Sequence, residues 1–481
     1  MLARLAIAAV PLALAAPAAR SQAPRDTLLY NVAIHPRDPH LTVEARLTTS
    51  APGTVVLAAP PSAGPAGTSV AGLSATDDRG TPLPVRRSGA TFAIDRAAPP
   101  AVRFRYRLDF ERRVAEGSTG SALDTSRLYA VTRSVFVAPD PTAFRKTSRT
   151  YPVVRVVFLP PPGWTVVAGW PLDGGVFQPA DGSDLVGATV AAAPDFRLYR
   201  DTVAGGTRLL AIRGHRYFSD SALAAVIDAG LRKGAAALGP VPVARVTYTS
   251  ELGRKGRTSG SLQGLASIGL IWEPSELLEL ARSHDTFHET LHLWFGGAVE
   301  TERWWTEGVT DYLAARLLAE WKGRPEDLAA LTWESYRNYL AIDHNTRMTM
   351  AEENRASVGG DNTELLVYRK GMLAGLLLDA AIRRETQGRT TLDAAAARLL
   401  AVAATRRSRA VREAEIRDAV VDAGGAAAAR AWSRVVDGAD LLGESEIRDA
   451  LLEVTGRAFD PPRALKRRKT LRNASDQRDG P

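Results

Sequence analysis

The sequence predicts a multidomain α+β protein, with an N-terminal antiparallel β-sandwich, a mixed segment after it and a helical C-terminal region. Three observations carry that reading. The chain has 481 residues, and at ~150 residues per domain that length makes about three domains. Apolar and polar residues alternate with period two up to about residue 200, as strands with one buried face do. Beyond that point the apolar spacing turns helical.

The strand-rich part is expected over residues 24–200. His40 to Leu47 alternates apolar with polar, and so does Val102 to Phe110. Val153 to Leu159 is a more continuous apolar run, as a buried strand requires. Turn residues separate the runs: Pro60-Pro61, Asp78-Arg79-Gly80, and Pro160 to Gly163. His35 and His40 lie by a Pro/Asp-rich stretch and read as surface histidines. Next come a strand at Leu209 to Ile212, a helix at Ser221 to Leu238 and a strand at Arg245 to Thr249. Helices are then predicted over roughly 276–297, 305–322, 326–340, 363–386, 391–404, 409–437 and 444–456. That pattern divides the rest into a mixed domain at 201–325, a helical region at 326–457 and a basic disordered tail at 458–481.

Hydrophobic residues at 45% and charged residues at 24% are ordinary globular values. They exclude a disordered chain, a collagen-like chain and a coiled-coil rod. The chain has no cysteine, which excludes disulfides, thiolate metal sites, iron–sulfur clusters and a cysteine nucleophile. Any metal must be held by His, Asp or Glu. The net charge of +8 comes from 61 basic and 53 acidic residues. Arginine is scattered rather than gathered on one element, so no nucleic-acid partner is expected. Lys466 to Lys469 is a basic run, read as a solvated tail.

The first residues read as an address. Arg4 precedes an apolar run from Leu5 to Ala16, and Ala18, Ala19 and Ala23 are small cleavage candidates. The run is shorter than the ~20 residues of a membrane span. A signal peptide over 1–23 and an exported, periplasmic or extracellular protein are therefore expected, with no transmembrane segment in the mature chain.

The chemistry concentrates in one place. Three of the seven histidines, His284, His288 and His292, fall within nine residues. His288-Glu289-Thr290-Leu291-His292 is an H-E-x-x-H pattern. On a helix its two imidazoles share a face and can bind one zinc ion, and Glu289 can reach a water at that ion. Zinc needs a third protein ligand and an open position for catalysis. Glu307, in Trp304-Trp305-Thr306-Glu307-Gly308, opens a strongly helical stretch and can supply it; Glu300 and Glu302, in the preceding turn, are the alternatives. Asp311 lies one helical turn beyond Glu307, placed to accept a hydrogen bond from a ligand imidazole.

These residues resemble the glycyl-aminopeptidase-like group of gluzincin zinc metallopeptidases. The resemblance joins His288-Glu289-x-x-His292-x-Trp294 to Trp305-x-Glu307-Gly308-x-x-x-Tyr312 and to Tyr368-Arg369-Lys370-Gly371. A weaker match is Trp432 to Gly438. It implies a thermolysin-like zinc domain, one Zn2+ held by His288, His292 and Glu307, and peptide or protein substrates. Glu289 is then the base that takes a proton from the attacking water, and Tyr368 donates its hydroxyl to the oxyanion.

Two departures stand out. Only fourteen residues separate His292 from Glu307. The strand Gly260-Ser261-Leu262-Gln263 occupies the place of the family's substrate-binding Gly-x-x-Glu strand, so Gln263 stands where a Glu receives the substrate's α-amine. Aminopeptidase and endopeptidase modes both fit that strand, and an inactive peptide-binding protein on the same scaffold is the third reading. Glu273 and Glu276 are the nearest alternative carboxylates. His284 is read as structural, and His215 and His344 are given no role.

Overall fold

A computed structural model describes residues 26–462 apart from 50–52, 59–67, 96–100, 111–120, 140–152, 181, 253–258, 264–265, 274, 343–346, 358–363 and 407–408. The expected signal peptide, most of the tail and His344 lie outside the described residues.

The alternating runs form an eight-stranded sheet. Its order is Leu172–Asp173, Val176–Phe177, Val153–Leu159, Thr27–His35, His40–Thr48, Ala101–Phe110, Thr68–Asp77 and Pro82–Leu83. Leu28, Tyr30, Val32, Leu41, Val43, Phe104, Tyr106 and Leu108 point to one apolar core, while Arg46, Arg103 and Arg105 face outward. Two four-stranded sheets, built from strands between Val55 and Ala193, accompany it.

The eight-stranded sheet is not wholly antiparallel, as the alternation suggested. Thr27–His35 pairs in parallel with Val153–Leu159, with Thr27 opposite Val153. Alternation reveals which face is buried, but it carries no information on a neighbour's direction.

A second, five-stranded sheet follows, ordered Arg197–Val203, Gly206–Ile212, Arg245–Leu252, Ser267–Trp272 and Ser259–Gln263. Its middle three strands are parallel, and both edge strands run antiparallel to their neighbours. Ten α-helices are present among the described residues: α1 (Gly182–Gly187), α2 (Asp220–Leu238), α3 (Leu280–Leu291), α4 (Thr310–Lys322), α5 (Pro325–Ala341), α6 (Met350–Ser357), α7 (Glu364–Thr386), α8 (Leu392–Ala404), α9 (Glu413–Val435) and α10 (Glu444–Thr455). None is long and apolar enough to cross a membrane. Ser219 starts α2 by accepting a hydrogen bond from Ala222 N at 3.1 Å, and Gly323 ends α4 in the left-handed conformation.

Three helical expectations need correction. The helix expected to reach residue 297 stops at Leu291, because Gly296, at φ +101°, turns the chain back into a Phe295–Val299 bridge. The long C-terminal helix starts at Glu413 and kinks at Gly424 and Gly425, whose backbone is not helical. Helix α6 was not anticipated, since MAEENRAS has no apolar stripe.

One apolar cluster runs from Val203 to Leu451, so the five-stranded sheet and α2 through α10 share a core. It abuts the strand-rich part through a small apolar cluster of Val167, Leu209 and Ala211 and through polar and close contacts. Arg127 pairs with the buried Glu251, and Thr247 Oγ1 donates to Ala168 O at 3.2 Å. A Cβ on Gly169 would lie 1.9 Å from Ser267 Oγ, so a larger residue there would have to turn the serine side chain away.

Candidate metal centre

Helix α3 buries Phe287 and Leu291 in the core and turns His284 and His288 to a second buried face. His292 caps its C-terminus. The rings of His288 and His292 stand edge to face, with centroids 4.5 Å apart. The His292 ring is oriented through its Nδ1. His292 Nδ1 donates to Phe295 O at 3.0 Å; a carbonyl only accepts, so the proton sits on Nδ1 and the Nε2 lone pair is free. His288 Nδ1 lies 3.3 Å from Asp311 Oδ1, and His284 Nε2 lies 3.3 Å from the same oxygen. His284 Nε2 is also 3.0 Å from Asp311 O. Asp311 thus sits between two imidazoles, with Arg369 at 3.8 Å from its other oxygen.

Glu307 reaches the same point from a π-helical turn, Trp304–Val309, that runs directly into α4. Its Oε2 lies 3.6 Å from His288 Nε2 and 3.4 Å from His292 Nε2. Zinc bonds of about 2.0–2.1 Å in a tetrahedron place ligand atoms about 3.3 Å apart. The three residues therefore fit a zinc ion in spacing, in donor type and, at His292, in the tautomer that Phe295 O imposes. Among the described residues no other cluster of His, Asp or Glu offers such a set. Glu302 instead accepts from Asn354 Nδ2 at 2.7 Å, and Glu300 pairs with Arg409 at 3.2 Å. His215 is exposed.

Two glycines bring Glu307 and Tyr368 together. A Cβ on Gly308 would lie 2.4 Å from Gly371 Cα, and one on Gly371 would lie 2.7 Å from Trp304 O. The Glu307 turn and α7 therefore cross backbone on backbone. Tyr368, on α7, faces the Glu307 carboxylate, and its ring centroid is 6.1 Å from that of His288.

The pocket's charges are strongly coupled. Burial pushes the Glu289 carboxyl up, partly offset by His292 and His288. Burial also opposes charge on Glu307, but the two imidazoles outweigh it and hold that carboxyl far below its ordinary value. Burial disfavours a charged His288, yet Asp311 and Glu307 raise it well above its ordinary value. Burial and the nearby Glu307 raise the Tyr368 hydroxyl far up, so it stays protonated.

The strand Ser259–Gln263 forms one edge of the five-stranded sheet and packs beside α3. Gly260 pairs with Leu270, and Gln263 with Ser267; the side chains of this strand lie outside the described residues. Glu273 and Glu276 lie past the far end of the partner strand, which runs Ser267–Trp272. At ~3.3 Å per residue that is about 20 Å from the Gln263 end. Glu276 is held there by Arg282 at 2.8 Å.

The chain matches no protein-family model and no curated protein. Solved structures do match. An aminopeptidase N family protein from Idiomarina loihiensis superposes with a TM-score of 0.72 at 16% identity, covering 88% of this chain and 78% of its own. An M1 zinc metallopeptidase from Deinococcus radiodurans superposes with a TM-score of 0.56 at 18% identity, covering 87% and 94% respectively. A mutant of the latter, with a Tyr-Ser-Ala substrate bound, has a TM-score of 0.55. The chain has the fold of these M1 zinc metallopeptidases, which is the level at which the gluzincin resemblance holds.

Proposed function

We propose that the chain is a zinc-dependent metallopeptidase that hydrolyses peptide bonds. One observation carries this reading: His288 Nε2, His292 Nε2 and Glu307 Oε2 converge on one point, with Glu289 and Tyr368 beside it. These three side chains hold the ion, which when bound polarises the substrate carbonyl and acidifies water. Asp311, braced by His284, keeps the His288 ring turned to the pocket. Glu289, its proton affinity raised by burial, takes the proton of the attacking water and passes it to the leaving amine. Tyr368, kept protonated, donates its hydroxyl to the carbonyl oxygen as charge develops there.

The peptide lies along the edge strand Ser259–Gln263, adding a strand to the sheet through backbone pairing. The Tyr-Ser-Ala ligand of the Deinococcus radiodurans mutant supports a peptide substrate. Gln263 is neutral, and Glu273 and Glu276 are too distant to receive an ammonium in its place. The enzyme is therefore aminopeptidase-like in fold but weakly selective for a free N-terminus. This favours the endopeptidase mode as a second reading, while the presence of Glu289 argues against an inert peptide binder. The reading includes export through a signal peptide at 1–23. It divides the mature chain into a β-sandwich at 24–200, a thermolysin-like domain at 201–325 and a helical region at 326–457.

Metal analysis of the purified protein, beside a panel of N-terminally free and blocked peptides, tests the proposal. Near-stoichiometric zinc and cleavage of both peptide types are expected. A neutral hydrogen bond is worth about 0.5–1.5 kcal/mol, so the two rates should differ by no more than about tenfold. Zinc-free protein without hydrolysis would sink the reading, and strict rejection of blocked peptides would sink its account of Gln263.

A further inference from the structure

Tyr368 lies just over one turn from the described start of α7 at Glu364. Leu366, Val367, Met372 and Leu373 bury this stretch of the helix in the core, and two further contacts bear on its place. One is the crossing of Gly371 over Gly308. Bare glycine backbones touch closely there, and one turn further on the Tyr312 side chain packs against Gly375 and donates to Asp379 of α7. The glycine crossing fixes the distance between the two elements but carries no charge or side chain of its own to set the angle of α7 at Tyr368.

The other contact lies on the far side of α7. Lys370 is two residues from Tyr368, about 200° around the helix. Its ammonium lies 2.9 Å from Glu353 Oε1, and both side chains are wholly shielded from solvent, at 0% exposure. The ammonium also donates to Met348 O. Glu353 belongs to α6, which is anchored independently of α7. Met350 N donates to Val436 O at 3.0 Å. Asn354 Oδ1 accepts from Trp304 N at 3.2 Å, at the start of the turn that bears Glu307.

A buried ion pair is a weak stabiliser beside two apolar side chains of equal size, because desolvation cancels most of the attraction. What it supplies is register, since a buried ammonium has few places where its charge is met. We propose that Glu353 is a positioning residue that, through Lys370, fixes the rotation of α7 and so the place of the Tyr368 hydroxyl opposite Glu307. The inference rests on the reading of Tyr368 as oxyanion donor.

The test is the paired apolar swap Glu353→Met with Lys370→Met, which fills the same space without charge and avoids stranding either partner. Its thermal midpoint should match or exceed that of the native protein, and its affinity for zinc should be unchanged. Its kcat should fall about 10- to 100-fold, as misplacement of a catalytic group by ~1 Å implies, with KM within twofold. Glu353→Gln, which keeps an acceptor for the ammonium, should retain most of kcat. In a Tyr368→Phe background the apolar swap should cost less than a further twofold. A stable swap with native kcat, or one whose loss persists undiminished in that background, overturns the proposal. Tyr368→Phe with native kcat would instead overturn the role assigned to the tyrosine, and the inference with it. A readout free of turnover is the 19F resonance of 3-fluorotyrosine at position 368. It should shift or broaden in the swap, and an unchanged resonance would count against Glu353.

Discussion

The outer face of the eight-stranded sheet and the pocket around His288 are both laced with charge pairs, but the pairs sit in different media. On the sheet, Arg105 meets Glu44 at 3.5 Å with side chains 65% and 58% exposed. Behind the pocket, Lys370 meets Glu353 at 2.9 Å with neither exposed at all. Water screens the first pair and already solvated both partners before folding, so its net contribution is about 0–1 kcal/mol. The second pair gave up that solvation, and each partner now depends on the other. The same chemistry is decoration in one region and constraint in the other.

The sharpest contrast is expected from Glu289→Gln. It leaves the three candidate ligands in place and removes only the proton acceptor, so zinc should stay while kcat falls by about 10²–10⁴. His292→Ala should lose both zinc and hydrolysis. Retention of most activity by Glu289→Gln would break the assignment.

Lys370→Met alone should destabilise the protein by about 3–5 kcal/mol, since it strands Glu353 in the core. Denaturant titration reads this directly, and a loss below about 1 kcal/mol would place the pair with the surface ones. Gly308→Ala should cost about 1–3 kcal/mol through overpacking. Its new methyl meets Gly371 backbone at 2.4 Å, so Glu307 and Tyr368 should separate and zinc affinity should drop with the midpoint.

Titration sharpens the comparison further. Burial pushes the Glu353 carboxyl up to about 7 from its ordinary value of 4.5, against the opposing pull of Lys370. A raised carboxyl binds its proton more tightly when folded. Its contribution is therefore full below about 4.5 and is lost as pH rises through about 7. The native protein should lose about 1–3 kcal/mol relative to Glu353→Gln between those values. Parallel stability curves for the two proteins would show that Glu353 does not titrate there. The smallest effect belongs to the sheet: Arg105→Ala should change stability by less than about 0.5 kcal/mol, and by less again at high salt.

What was legible in the sequence follows the same division. The i,i+4 spacing of His288 and His292 is a property of any helix, so their shared face was readable without a fold. The same spacing put Glu307 and Asp311 on neighbouring turns, although Glu307 falls in the π-helical turn that precedes α4. Tertiary contacts decided the rest. Helix α6 lacks an apolar stripe and is held by Glu353, Asn354 and Met350 through partners distant in sequence. His284 looked like a spare histidine, because Asp311 meets it only when α3 packs on α4. The alternation of Thr27–His35 revealed its buried face but not the direction of Val153–Leu159 beside it.

That parallel pairing has a consequence for how the chain is made. Thr27–His35 finds its hairpin partner, His40–Thr48, almost at once. Its other edge waits for Val153–Leu159, more than a hundred residues later. At ~5–20 residues per second of synthesis, that edge stays open for roughly 6–25 s. Leu28, Tyr30 and Val32, all fully buried in the finished sheet, are meanwhile without their final cover. A nascent strand in that state is a template for pairing with a second chain, so the strand-rich half carries an aggregation hazard while it is being made. The hazard ends only when the ribosome has delivered Leu159.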